Sequence, residues 1–188
     1  MPALYSVCVY CGSRPGANPA HEAAARDTGH LIATQGWRLV YGAGDVGLMG
    51  AVAGAAKAAG GQTLGVIPTH LMQREKARRD LGQLVVTENM HERKKVMFMN
   101  SDAIVVLPGG AGSLDEFFEV QTWRQIGLHE KPIVLFNIGG FWDPLLALLD
   151  HVIGEGFADA SLKGFVQSVD DIEQLANALE TASSDRTA

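Results

Sequence analysis

The chain has 188 residues, 47% of them hydrophobic and 19% charged, with a formal net charge of −6. That length supports one sizeable core, and the acidic balance argues against general affinity for nucleic acid or a membrane surface. No apolar run approaches the ~20 residues that span a bilayer, and Met1-Pro2-Ala3-Leu4 lacks a basic leader, so a cytoplasmic protein without a signal peptide is expected.

In chain order, the first strand-like run is Tyr5–Tyr10. It carries Cys8, and Cys11 follows at C-x-x-C spacing. Positions three apart on a strand face opposite sides, and there is no second cysteine pair. The thiols therefore read as buried structural groups in a reducing compartment, without zinc or redox chemistry. A helix over His21–Gln35 follows, then strand Arg38–Tyr41, helix Leu48–Ala59, strand Thr63–Ile67, strand Leu84–Thr87 and helix Met90–Met99. The second half continues with strand Ala103–Leu107, helix Ser113–Gly127, strand Ile133–Asn137, helix Asp143–Glu155, strand Phe165–Val169 and helix Asp170–Thr181. Several strands are apolar without alternation, as strands covered on both faces are. The predicted fold is α/β, a doubly wound, mainly parallel sheet flanked by helices. Residues 1–181 form one domain in this reading, and the polar stretch 182–188 is a frayed tail.

In such a sheet, ligands bind at the carboxyl ends of the strands. Four glycine-rich or polar segments occupy those ends: Cys11–Gly16, Tyr41–Gly50, Pro68-Thr69-His70 and Pro108–Glu116. The topology predicts their convergence on one crevice. The last reads Pro-Gly-Gly-Ala-Gly-Ser-Leu-Asp-Glu after a buried strand. Backbone N–H groups at Gly109, Gly110 and Gly112 can close around an anion. The helix expected to open at Ser113 adds its own N–H groups and positive dipole end. Gly42-Ala43-Gly44-Asp45-Val46-Gly47 matches a dinucleotide fingerprint, but it occupies the second βα turn and no acid follows Ile67. Close packing of strand, turn and helix explains it as well as ligand contact does.

Two readings of Glu116 stand side by side. Ser113-Leu114-Asp115-Glu116 fits a capping box, with Ser113 at N-cap and Glu116 at N3. Yet two carboxylates beside an anion cradle repel the anion, which favours a chemical role for at least one. Arg93, Lys94 and Lys95 crowd the early turns of their helix against its dipole. They form either a solvated basic face or a set with partners: Arg93 holding Glu116 ionised and oriented, Lys94 facing phosphate. The charged stretch 73–79 is solvent-facing in this reading, with Glu75 within possible reach of a ligand hydroxyl. The six histidines show no metal-ligand spacing, and neither a nucleophile elbow nor a Walker A loop is present. No metal and no cofactor are called for. The Ser113 helix carries Leu114, Phe117, Phe118, Val120, Trp123 and Ile126, so it should be covered on more than one side, by the core or by a second subunit.

Pro108–Glu116 resembles the P-G-G-x-G-T-x-x-E signature of the LOG ("Lonely Guy") family, cytokinin riboside 5′-monophosphate phosphoribohydrolases formerly labelled lysine decarboxylases. The resemblance extends through Cys11-Gly12-Ser13, Tyr41–Gly44, Gly47-Leu48-Met49-Gly50, Met90-x-x-Arg93-Lys94 and Thr122–Gly127. It implies a Rossmann-like fold, a homodimer, and hydrolysis of the N-glycosidic bond of a purine riboside 5′-monophosphate to free base and ribose 5-phosphate. By position it implies Arg93 and Glu116 as the catalytic pair. It also implies substrate binding by Gly110, Ala111, Gly112, Ser113, Leu114, Asp115 and Glu116, with Glu75, Arg93, Lys94 and Thr122. Two positions depart from the family pattern. Ser113 stands for Thr and keeps the hydroxyl, while Ala43 stands where many members have Gly, adding a methyl beside the crevice. Two other functions share parts of this pattern: a nucleotide carrier in which Glu116 is only a cap, and a decarboxylase. The second would need a lysine-bound pyridoxal phosphate, and the sequence shows no lysine in an evident apolar pocket.

Overall fold

The computed structural model describes residues 4–72 and 82–185. Seven strands form one sheet: β1 (Ser6–Tyr10), β2 (Arg38–Tyr41), β3 (Gln62–Pro68), β4 (Gln83–Thr87), β5 (Ala103–Val106), β6 (Ile133–Phe136) and β7 (Val166–Val169). Their order is β4-β3-β2-β1-β5-β6-β7, and all six pairings are parallel. Parallel neighbours require crossovers: α1 (Pro19–Thr34) joins β1 to β2, α2 (Gly47–Ala58) β2 to β3, α4 (Ala111–Gln125) β5 to β6, and α5 (Asp143–Gly154) with the short α6 (Ser161–Gly164) β6 to β7, while α3 (Met90–Met99) carries the chain from edge strand β4 back to β5 and α7 (Ile172–Asp185) follows β7. The sheet is thus a doubly wound, Rossmann-like one, wholly rather than mainly parallel.

The central strands explain why the apolar runs do not alternate. Alternate residues of β1 enter different cores. Val7 and Val9 join a layer with Ile32 of α1, Val52 of α2 and Leu175 of α7; Cys8 and Tyr10 join another with Met97 of α3, Phe117 of α4 and Leu145 of α5. Cys11 belongs to the first layer and Cys8 to the second, and both are free thiols. The C-x-x-C spacing is therefore a strand passing between two hydrophobic layers. On the first layer, α1 and α2 approach closely enough that a Cβ on Gly29 would strike the Val52 carbonyl.

Element boundaries follow the sequence reading closely, with three differences. Helix α4 starts at Ala111, ahead of Ser113. The short α6 at Ser161–Gly164 carries no strong sequence signal. Helix α7 runs to Asp185, so residues 182–185 are helical where a frayed tail was expected. Two strongly apolar positions, Leu175 and Leu179, are fully buried and carry that helix onto the sheet.

Candidate active site

The order of strands places a switch between β1 and β5: the chain leaves β1 toward β2, and later leaves β5 toward β6. Loops diverging in opposite directions leave a crevice between them. Here it holds a cleft of about 510 Å³. Gly12–Gly16 follows β1, Pro108–Gly112 follows β5, and the two loops are joined where the Gly12 N–H donates to the Pro108 carbonyl at 3.0 Å. Gly12 in turn accepts from the Leu48 N–H at 3.1 Å, tying in the start of α2. Of the four segments expected to converge, three line the cleft. The fourth, Pro68–His70, contributes only its neighbour Leu71.

Gly110 is the N-cap of α4 and has extended backbone (φ −101°, ψ −153°), so the helix begins within the glycine loop. Ser113 is then N3, its side chain buried, and no side chain caps the helix. The capping box expected at Ser113–Glu116 is absent. Glu116 lies in the second turn, lining the cleft. A side-chain cap occurs instead on α3: Asn89 Oδ1 accepts the Glu92 N–H at 2.9 Å, and Glu92 Oε2 reaches back past the N-cap to accept the Glu88 N–H at 2.9 Å. The Ser113 hydroxyl packs over Gly109, where any Cβ would collide with it.

Arg93 reaches the same cleft from α3 and is 5% exposed. Its Nε donates to the Val66 carbonyl at 3.1 Å and its Nη2 to the Gly42 carbonyl at 2.6 Å. Gly42 must lack a side chain, because a Cβ there would occupy the guanidinium's place. The charges of Arg93 and Glu116 both reach the cleft floor. Burial raises the Cys8 and Cys11 thiols far above their ordinary range, Glu116 adds to the rise in each, and Arg93 opposes it. Tyr10 is raised by burial, and then by the neighbouring Cys8 and Glu116.

Lys94 does not face the cleft. Its Nζ lies 2.9 Å from Asp115 Oδ2 and 2.9 Å from Glu119 Oε2, bridging α3 to α4. Burial alone would lower this ammonium, but the hydrogen bonds and charges of the two carboxylates raise it overall. This divides the acidic pair. Asp115 turns to Lys94, and Glu116 alone turns to the anion loop. Glu119, one turn beyond Asp115, was missed in the sequence reading although its i+4 spacing could have marked it.

Residues 49–179 match the family model described as "Possible lysine decarboxylase". The chain is 41% identical over 174 residues to the cytokinin riboside 5′-monophosphate phosphoribohydrolase LOG of Oryza sativa subsp. japonica, a match covering 93% of this chain and 72% of that protein. It is 40% identical to LOG5 of Arabidopsis thaliana, covering 93% and 76%. The chain belongs to the LOG family. Among solved structures, the molybdenum cofactor carrier protein of Chlamydomonas reinhardtii has TM-score 0.74 at 22% identity, covering 97% of this chain and 99% of that one. At that identity the likeness shows the fold alone.

Of the positions the LOG resemblance marks, the cleft gathers Arg93, Gly109, Gly110, Ala111, Gly112, Ser113 and Glu116. Lys94, Leu114, Asp115 and Thr122 are not among its lining residues. Leu114 packs against the core, and Thr122 is exposed on α4. Glu75, like the rest of the 73–79 stretch, lies outside the described residues. The Ala43 methyl, expected beside the crevice, faces Gly65 of β3 instead. One wall is apolar, built from Met49 of a segment expected at the crevice together with Met90, Met97 and Leu71, which the sequence reading did not place there. Met90 and Met97 flank Arg93 at i, i+3, i+7, a helical spacing that was there to be read.

A decarboxylase does not fit these LOG residues. Among the described residues no lysine lines the cleft, so none is placed there to form a Schiff base. One lysine does sit beside an aromatic ring. The Lys131 ammonium sits 3.9 Å from the Phe98 ring centroid and burial lowers it, but it lies outside the cleft.

Proposed function

We propose that the protein hydrolyses the N-glycosidic bond of cytokinin riboside 5′-monophosphates or AMP, releasing the free base and ribose 5-phosphate. The observation that carries this reading is the placing of Glu116 and Arg93 in one cleft with the Gly109–Gly112 loop. The loop and the first turn of α4 offer N–H groups and a positive dipole end to the 5′-phosphate. Cleavage of the C1′–N bond leaves its electron pair on the purine and builds positive charge on the sugar, an oxocarbenium-like state. The Glu116 carboxylate stabilises that charge and accepts a proton as water adds to C1′. The proton that Glu116 takes from water passes on to the departing purine through solvent, which balances the step and restores the carboxylate. Arg93, held by two backbone carbonyls, orients the carboxylate from across the cleft. The phosphate is a remote handle whose binding energy supports the chemical step.

The test is release of free base from AMP and from isopentenyladenosine 5′-monophosphate, against the matching ribosides. Release is expected from the monophosphates only. Glu116→Gln should keep nucleotide binding and lose at least ~10²-fold in kcat, the scale of one acid–base group. Binding without release by the native protein would make it a carrier of this fold, and near-native turnover by Glu116→Gln would remove Glu116 from the chemistry.

We further propose a homodimer closed over α4. That helix buries Phe117 and Val120, yet leaves Phe118 at 37% exposure, with Ile126 at its C-cap at 63% and Leu128 beyond its end at 67%. Thr122 stands between them, also exposed. Apolar exposure of this kind on a helix already covered on one side marks an interface. Light scattering should give twice the chain mass, and Ile126→Glu with Leu128→Glu should halve it. A monomeric native protein would sink the proposal.

A further inference from the structure

The cleft holds a carboxylate beside a loop built for an anion, so the balance of charge around the phosphate is the open question. Among the described residues, the cations near it are largely engaged elsewhere. Lys94 is turned away to Asp115 and Glu119. Arg93 has two of its nitrogens on the Val66 and Gly42 carbonyls. Arg14 remains. It lines the cleft from the loop after β1, is exposed, and makes no ion pair with a described residue.

Its backbone is fixed in place. Gly12 donates to the Pro108 carbonyl and accepts from Leu48. Gly47, at φ +61°, packs so tightly on this loop that a Cβ would strike the Ser13 carbonyl and the Arg14 nitrogen. The loop carrying Arg14 is thereby held against the loop that carries the anion-binding N–H groups. Arg14 also lies just past the Cys11-Gly12-Ser13 motif, outside every position that the family resemblance marks.

Resting on the function proposed above, we infer that Arg14 is a guanidinium clamp for the 5′-phosphate. It discriminates the monophosphate from the riboside and holds the product ribose 5-phosphate by the same contact. A planar guanidinium matches two phosphate oxygens. It offsets Glu116 electrostatically from the side of the cleft where neither Arg93 nor Lys94 is placed.

The experiment compares native protein, Arg14→Ala and Arg14→Lys. It measures kcat and KM on AMP and isopentenyladenosine 5′-monophosphate, and the calorimetric Kd of ribose 5-phosphate. The phosphate keeps its charge throughout the reaction, so the Arg14 contact is made equally in ground and transition states and moves KM while leaving kcat nearly alone; the share of phosphate binding energy that supports the chemical step lies with the loop and the first turn of α4. Arg14→Ala should raise KM about tenfold and the ribose 5-phosphate Kd by a similar factor, the scale of one charged hydrogen bond. Arg14→Lys should fall between the two. An unchanged Kd in Arg14→Ala, or a loss confined to kcat, overturns the clamp. Failure of the native protein to release base would instead overturn the enzymatic reading, and the ribose 5-phosphate Kd still decides on Arg14.

Discussion

Ala43 is the one non-glycine residue with positive φ (60°) among those described, and it is fully buried. An L-residue there carries about 1–2 kcal/mol of backbone strain. Its methyl faces Gly65 of β3, where an added Cβ would lie 2.8 Å from the Ala43 Cβ and 3.3 Å from its Cα. The two positions share room for one methyl. Gly65→Ala should therefore destabilise by ~1–3 kcal/mol through overpacking. Ala43→Gly should be near neutral, since relief of strain offsets the lost methyl and the greater freedom of the unfolded chain. The double variant should recover most of the Gly65→Ala loss, and chemical denaturation of all four proteins would show the coupling. Simple additivity of the two changes would mean that the methyls do not compete. At this scale the sequence was informative where chemistry is local: the glycine loop, Arg93 and Glu116 were all legible. The direction of the Ala43 methyl was not, because it depends on how β2 and β3 sit side by side.

At the scale of elements, the turn from α4 to β6 carries a titrating group. His129 Nδ1 accepts the Lys131 N–H at 3.1 Å, so the ring proton sits on Nε2 and donates to the Val120 carbonyl at 2.9 Å. The neutral ring satisfies both partners, whereas a protonated ring could not accept from Lys131. Burial lowers the His129 pKa; the Val120 carbonyl opposes this, and Arg124 and Lys131 add to the lowering. The folded-state value thus lies below the unfolded one of about 6.5. The stabilisation is present above that pH and lost as pH falls toward the folded-state value. Melting temperature should drop on acidification from pH 7 to pH 5, and His129→Gln should lessen the drop. An identical pH dependence in the variant would show that other groups carry it. Lys94 behaves oppositely in sign but outside this window: its raised pKa matters only when pH climbs above about 10.4.

Helix α4 shows why element starts are harder to read than element identities. Ser113-Leu114-Asp115-Glu116 satisfies the capping pattern, and nothing local contradicts it. Extended backbone at Gly110 moves the N-cap three residues back from Ser113, so the same residues serve as a buried hydroxyl, a core leucine, a partner for Lys94 and a cleft carboxylate. Lys94 was misdirected in the sequence reading for a related reason. Its two acidic partners lie on another helix, and only the packing of α3 against α4 selects them over a phosphate.

Across the whole molecule, the fold was the most legible feature. Uninterrupted apolar runs separated by helical stretches admit few arrangements other than a parallel sheet with crossovers. Strands β1–β4 come from the first half of the chain and β5–β7 from the second, and within the sheet the halves meet only along the β1–β5 pair. Arg93 belongs to the first half; Glu116 and the anion loop belong to the second. With the roles proposed for Arg93 and Glu116, neither half holds a complete site, and turnover should act as a coincidence detector for a single seam. A breathing motion that parted β1 from β5 would silence the enzyme while every other strand pair stayed zipped.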